Sequence, residues 1–475
     1  NGKEVRKGVE TMMMEKLNKF TGEQVQTWLF YGLAVMMFGL PVPHLFFPES
    51  EKAIGLQATL LVLALFYFGF LLVVEGVNKR FSIKEYGIVL YSLMGLGIAG
   101  VISVLVSNDK AVSVYGTELR AEGLLTLFSY YLIFIAATRV TKKSYRGKLV
   151  RLFLLLGVAV VILGMIQFFG IYVFGNKFPG MAYVPMRNPN FYGAFAVLFT
   201  GVGMGGFFVY QKESEITRPY PWWDRWVWYA LVLAGYAGCI CARSALVYAG
   251  LIMMLLLYLF LQIGTKRKDI WAFLLLVLGL IALIFLFDIQ KSGGVTEELK
   301  SVSNQIKAEG TVFGDSVGSS RMLIWKQSIS LLPKYWLFGC GIERLGSHCH
   351  EGAKELWFNF DKVHNEYLNL WVTEGIFALV FYLVFLFALF IPGLKQFFGK
   401  KKMTEEIAGA GTDVKLTVEE KVTDLISKIA FFAFFGYIAQ AFFNISVVQV
   451  APYFWMICGL LYRRKRDRDE ETVGR

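Results

Sequence analysis

Apolar residues fall along this chain in long runs, near 28–47, 53–75, 86–106, 120–138, 152–174, 190–210, 226–241, 244–263, 270–288, 366–391, 429–446 and 451–462. Runs of about twenty apolar residues, without the polar alternation of a surface helix, predict helices that cross a bilayer. Breaks at 241–244 and 446–451 are placed where an unbroken helix would overshoot a hydrocarbon layer of ~30 Å. The pattern predicts an all-α fold, a polytopic membrane helix bundle of about twelve spans. One polar interruption, from Asp288 to Val363, is much longer than the rest. Within it Met322, Trp325, Ile329 and Leu332 recur at helical spacing, which predicts a short helix lying on the membrane surface.

This pattern divides the chain into a tail (1–27), nine spans (28–288), a long loop (289–365), three spans (366–462) with a polar linker (395–428), and a basic tail (463–475). The first span is expected to be a retained anchor, because no short apolar segment with a small-residue cleavage site precedes it. No repeat of fixed period is evident, which excludes a solenoid or propeller.

Composition agrees with the pattern. Of 475 residues 56% are hydrophobic and 18% charged, too little polar surface for a soluble protein of this length. The net charge of +12 would suit a nucleic-acid binder, but its placement points elsewhere. With a cytoplasmic N-terminus, Lys79, Arg80, Lys84, Arg139, Lys142, Lys143, Arg146 and Lys148 fall in inner loops, as do Lys266, Arg267, Lys268 and the tail Arg463-Arg464-Lys465-Arg466. The outer loops hold only scattered cations. That asymmetry is the positive-inside rule, so the partners expected are membrane lipids and no nucleic acid. It also puts the long loop outside the cytoplasm.

Four places could carry chemistry. His364 stands where the loop meets the tenth span, in Val363-His364-Asn365-Glu366-Tyr367-Leu368. In the first turn of a helix it would feel the positive end of the dipole and stay neutral, as a general base requires; equally, His364 and Asn365 could simply cap the helix. Arg243 interrupts an apolar stretch. It could hold a phosphate in a bidentate fork or snorkel to the surface. Arg321, behind Ser319 and Ser320 as expected N-caps, would occupy a first turn open to an anion or reach a lipid headgroup. Arg187-Asn188-Pro189-Asn190 reads as a turn with Asn190 as N-cap. Cys340 and Cys349 share the loop, and spacing leaves their pairing open. His348-Cys349-His350 lacks further ligands for a metal site, and no phosphate-binding glycine loop occurs, so no metal or cofactor is expected.

Taken together, Arg187-Asn188-Pro189-Asn190, Ala242-Arg243-Ser244-Ala245-Leu246, Ser320-Arg321 with Trp325, the segment from Leu332 to Gly341, and His364-Asn365-Glu366-Tyr367-Leu368 with Glu374-Gly375 resemble the O-antigen ligase/polymerase superfamily of membrane glycosyltransferases. The resemblance implies a GT-C-like enzyme of the bacterial cytoplasmic membrane, with both termini cytoplasmic and the active site facing outward. It implies metal-independent, inverting transfer of a glycan from an undecaprenyl-diphosphate-linked donor to a glycan or glycolipid acceptor. His364, Arg243 and Arg321 would be catalytic. Arg187, Asn365 and Tyr367 would bind substrate. Where some relatives carry two arginines in the Arg243 motif this chain has one, so Arg187 could share the diphosphate. A protein O-oligosaccharyltransferase of the same superfamily and a polysaccharide flippase are the alternatives. The expected topology has a direct test: a cysteine at position 321 should be labelled by an impermeant reagent from outside intact cells, and labelling only after permeabilisation would invert the assignment.

Overall fold

The computed structural model describes residues 17, 20–213, 224–264, 270–290, 295–351, 359–398 and 418–463. Regular structure among these residues is helical throughout. Among the described residues eight helices are long and apolar enough to cross a membrane, and four shorter apolar helices, Leu124–Arg139, Arg225–Cys241, Leu425–Gln440 and Ala451–Leu461, accompany them. The chain is a polytopic bundle of membrane helices. The principal helices are α1 (Gly22–Gly39), α2 (Glu51–Val77), α3 (Ile88–Val106), α4 (Leu124–Arg139), α5 (Lys143–Phe168), α6 (Pro189–Glu213), α7 (Asp224–Cys241) and α8 (Ala245–Gly264). There follow α9 (Ile270–Gln290), α10 (Val295–Glu309), α11 (Val317–Tyr335), α12 (Glu366–Glu374), α13 (Ile376–Lys395), α14 (Val418–Gln440) and α15 (Ala451–Leu461).

Several helix ends differ from the hydropathy pattern, because hydrogen bonds rather than apolar content set them. α1 begins six residues before the apolar run at 28, where Thr21 and Gln24 form a reciprocal capping box. α5 likewise begins inside the basic stretch. Arg146 there is buried and donates to the carbonyls of Leu460 (2.5 Å) and Val140 (3.4 Å). Arg139 meets Glu75 at 2.5 Å and Glu85 at 3.3 Å, while Arg80 meets Glu75 at 2.9 Å. Part of the basic charge between the helices therefore ties helix ends together through buried pairs. The tail at 1–16 and the segments 399–417 and 464–475, where most of the linker and basic tail fall, lie outside the described residues.

α6 is the centre of the bundle. Every residue from 191 to 209 is buried, whereas few residues of Ile270–Ile289 in α9 are. Gly201 and Gly205, four residues apart, let α6 approach α14 at backbone distance. A Cβ at Gly201 would come within 2.4 Å of the Ala433 Cα, and one at Gly205 within 2.6 Å of the Ile429 carbonyl. Such small-xxx-small spacing supports close packing where lipid offers no hydrophobic drive between helices.

The run at 366–391 was expected to form one span starting beside His364. It is two helices, α12 and α13, parted at Gly375, whose φ is 89°. The cause is the segment 337–341, which lies along this junction. Cys340 N–H donates to the Val372 carbonyl (2.9 Å), Gly341 N–H to Thr373 (3.0 Å), and Ile376 N–H to Trp336 (2.9 Å). A side chain at Gly339 or Gly375 would overlap the opposing carbonyl at 2.1 Å, so both positions require glycine. The loop carries its own small core, in which Ile324, Leu331, Leu345, Phe360, Val363 and Val372 pack together. That core anchors the residue immediately before His364.

Replacing Gly201 or Gly205 with valine should drive α6 and α14 apart at a cost of ~1–3 kcal/mol. A lowered thermal unfolding midpoint of the detergent-solubilised protein would show it; an unchanged midpoint would mean that the helices can slide apart freely.

Candidate catalytic site

The loop at 441–446, between α14 and α15, reaches each part of the candidate site. The Ala441 carbonyl accepts from Glu366 N–H (2.9 Å), the first residue of α12. Phe443 stacks on Trp325 of α11 at 6.0 Å. Asn444 Nδ2 donates to the Asn190 carbonyl (3.3 Å), and Ser446 Oγ donates to Glu122 Oε1 (2.5 Å). Asn190 Oδ1 in turn accepts from Ser244 Oγ at 2.7 Å. The turn before α6, the turn carrying Arg243, the helix that carries Arg321 and the segment ending in His364 thus share one support. Sequence reading had placed 429–446 inside a span.

Local geometry corrects several expectations. Asn190 is not the N-cap of α6: Pro189 occupies the first helical position and Asn188 Oδ1 accepts from Asn190 N–H at 2.8 Å. Asn190 is thereby free to bind Ser244. α11 begins at Val317, ahead of Ser319 and Ser320, so these serines do not precede the helix and Arg321 lies beyond its first turn. His364 stands before the N-cap rather than in the first turn. Asn365 is the cap and accepts from Leu368 N–H at 3.0 Å. Tyr367 donates its hydroxyl to the Ile438 carbonyl (2.7 Å) and packs its ring on Phe442 (4.5 Å).

His364 is half-buried, and its Nδ1 is fully buried with no hydrogen-bond partner among the described residues. Burial pushes its pKa down to about 4, helped by the positive charges of Arg321 and Arg120 and opposed by Asp361. The expected neutral imidazole is present, but desolvation and two arginines produce it, not a helix dipole. Arg321 donates from Nη1 to the Gly318 carbonyl (2.8 Å), and its Nε has no partner among the described residues. Burial lowers its pKa to about 10, so it keeps its charge at neutral pH. Arg187 donates from Nη1 to the Leu119 carbonyl at 2.9 Å, and burial and Arg120 hold its pKa below the usual arginine value. The Arg243 Nη2 lies 3.7 Å from the largely exposed Glu297 of α10.

Arg120, Glu122 and Lys362 were not singled out from the sequence. Arg120 forms a two-bond fork with Asp361, Nε to Oδ2 at 2.6 Å and Nη2 to Oδ1 at 3.0 Å. The next residue along, Lys362, is buried between Glu122 (3.0 Å) and Glu343 (2.6 Å). Burial works against the Lys362 charge, but Glu343 and Glu122 outweigh it and raise its pKa above the ordinary lysine value. Beside this pair lies a polar cavity of about 70 Å³, room for a few water molecules, lined in part by Glu122, Lys362, Glu366 and Glu374. The available signal was charge within the first residues of the apolar run at 120–138, which was absorbed into that span.

Backbone strain marks the same places. Among the described residues seven non-glycine residues have left-handed φ: Lys79, Ala121, Arg187, Arg243, Ser320, Glu343 and His364. All but Lys79 lie at a candidate residue, next to one, or in the ion pairs behind His364. Such conformations are uncommon outside glycine and persist where surrounding contacts enforce them.

The remaining candidates are accounted for locally. His348 Nδ1 lies 2.9 Å from Glu351 Oε1 and 3.1 Å from the Tyr335 hydroxyl, and His350 Nε2 pairs with Asn359. Among the described residues no cluster of three or more histidine, cysteine, aspartate or glutamate side chains is placed to hold a metal ion. Cys340 and Cys349 are buried free thiols.

With this geometry in view, comparison with known families is direct. Residues 229–383 match the O-Antigen ligase family. The match supports placing the chain in the O-antigen ligase/polymerase superfamily. It spans Arg243, Arg321 and His364, while Arg120, Arg187 and the loop at 441–446 fall outside it. No curated protein matches the chain.

The depressed pKa of His364 has a consequence for stability. Between about pH 6.5 and pH 4 the unfolded chain binds a proton at this histidine and the folded chain does not, so stability falls as pH drops through that window. Thermal melts across it should fall less steeply for His364→Gln than for the wild type. Parallel curves would show that His364 is not held neutral.

Proposed function

We propose that the protein transfers a glycan from an undecaprenyl-diphosphate-linked donor to an acceptor hydroxyl at the outer face of the bacterial cytoplasmic membrane. The observation that carries this reading is a neutral, half-buried His364 in the charge field of Arg321, in a segment that matches the O-Antigen ligase family. A base and an anion-binding cation are the two groups such a transfer needs side by side.

In this reaction the imidazole takes the proton of the acceptor hydroxyl. With Nδ1 buried, Nε2 is the nitrogen left to do so. The acceptor oxygen attacks the anomeric carbon from the face opposite the diphosphate. The bond from that carbon to the phosphate oxygen breaks, its electron pair leaves with undecaprenyl diphosphate, and the configuration inverts. Arg321 neutralises charge as it develops on the leaving group. Arg243 and Arg187, on turns fixed to the same support through Asn190, supply further positive charge for the diphosphate. The leaving group is already activated, so the step needs no sugar nucleotide.

Purified protein in detergent, given lipid-diphosphate glycan and acceptor glycolipid extracted from its own source membranes, should form the joined product. His364→Ala should lower the rate by ~10²–10⁴, and Arg321→Ala and Arg243→Ala should abolish transfer while the protein stays folded. Wild-type rates from His364→Ala would remove its role as base.

A further inference from the structure

The segment leading to His364 is held by two ion pairs of opposite polarity. Asp361 takes the Arg120 guanidinium in a two-bond fork, and Lys362 takes Glu122 together with Glu343. Arg120 and Glu122 flank Ala121, whose φ of 53° is left-handed like that of His364 at 55°. The Ala121 carbonyl accepts from Thr126 Oγ1 at 2.7 Å, which fixes this turn to the start of α4. The Arg120 guanidinium also lies over the Phe191 ring at 5.7 Å, and the neighbouring Leu119 carbonyl holds Arg187. Its side chain is 19% exposed, so it is a partly buried group whose charge is only weakly screened by solvent.

We propose that Arg120 and Asp361 are positioning residues for His364, a paired charge that fixes the histidine's backbone and sets the field in which its imidazole works. The inference rests on the reading of His364 as the base. A surface ion pair adds little by itself. This one differs because its two charges act on the imidazole with opposite sign. Arg120 and Arg321 disfavour the protonated ring, while Asp361 favours it. Among the described residues these three, from the turn before α4, from α11 and from the segment of His364 itself, act on the ring most strongly. Lys362 and Glu366, two residues to either side, are taken up by Glu122 and Glu343 and by the Tyr382 hydroxyl. A purely structural pair would loosen the segment whichever partner was removed. A pair that sets the field moves the imidazole in opposite directions.

The chain has four histidines, so each can be followed separately. Full-length protein carrying ¹³Cε1-labelled histidine in detergent micelles is titrated by NMR, with the His364 signal assigned by its loss in His364→Gln. Arg120→Gln should raise the His364 midpoint, and Asp361→Asn should lower it, each by about half a pH unit or more. The double variant should return it towards the wild-type value. Should Arg120→Gln fail to fold, Asp361→Asn is read alone as a smaller protonated fraction at about pH 4.5. Midpoints that stay put, or move the same way in both variants, overturn the proposal. No substrate is used, so this result is separate from failure of glycan transfer in the wild type.

Discussion

The candidate site depends on the six residues at 441–446 making hydrogen bonds and ring contacts in four directions at once. A loop at the end of two packed membrane helices has few waters with which to satisfy its polar groups, so those groups are satisfied by protein. Here the partners are α12 through Ala441, α11 through Phe443, the turn before α6 through Asn444 and the turn before α4 through Ser446. Each partner leads on to an arginine or to His364. The loop is itself held at a fixed height, because α14 lies against α6 at the backbone contacts of Gly201 and Gly205. Helix packing deep in the bundle and the placing of cations at its surface are therefore parts of one constraint.

The helices were legible in the sequence because a run of twenty apolar residues is a local signal. Their ends were less so. The capping box at Thr21, the buried Arg146 and the break at Gly375 depend on partners that hydropathy does not register. The site shows the same division. Arg243, Arg321 and His364 stand out as cations or an imidazole amid apolar or loop sequence, and ordered motifs drew them together. Arg120 and Lys362 did not stand out, since their meaning lies in pairing across roughly 240 residues, with Asp361 and with Glu122. Sequence reasoning did reach a neutral His364, but by way of a helix dipole. Burial is a property of the folded chain, and it proved to be the larger cause.

Left-handed φ at Arg187, Arg243, Ser320 and His364 shows what the support contributes. None of these residues would choose that conformation in an isolated turn. Each is next to a group tied down by hydrogen bonds: Leu119 and Asn188 for Arg187, Ser244 for Arg243, Gly318 for the Ser320–Arg321 step, and the ion pairs of Asp361 and Lys362 for His364. The strain is distributed over several turns, and the contacts that maintain it converge on few elements. A site built this way holds side chains in orientations that a regular helix could not present.

The charge arrangement around His364 contains a tension that the proposed chemistry turns to use. Burial, with the positive field of Arg321 and Arg120, keeps the imidazole neutral, and the same influences weaken it as a base. His364 is thus unprotonated yet reluctant to accept a proton. A diphosphate seated at Arg321 would bring negative charge into that field and cancel part of it, raising the proton affinity of the imidazole at the stage when the acceptor proton must be taken. Binding of the donor and competence of the base would then be coupled through a single electrostatic term. Asp361 already acts on the ring in the sense a bound anion would, and Arg120 opposes it, so the pair fixes how much of the remaining field the donor has to cancel.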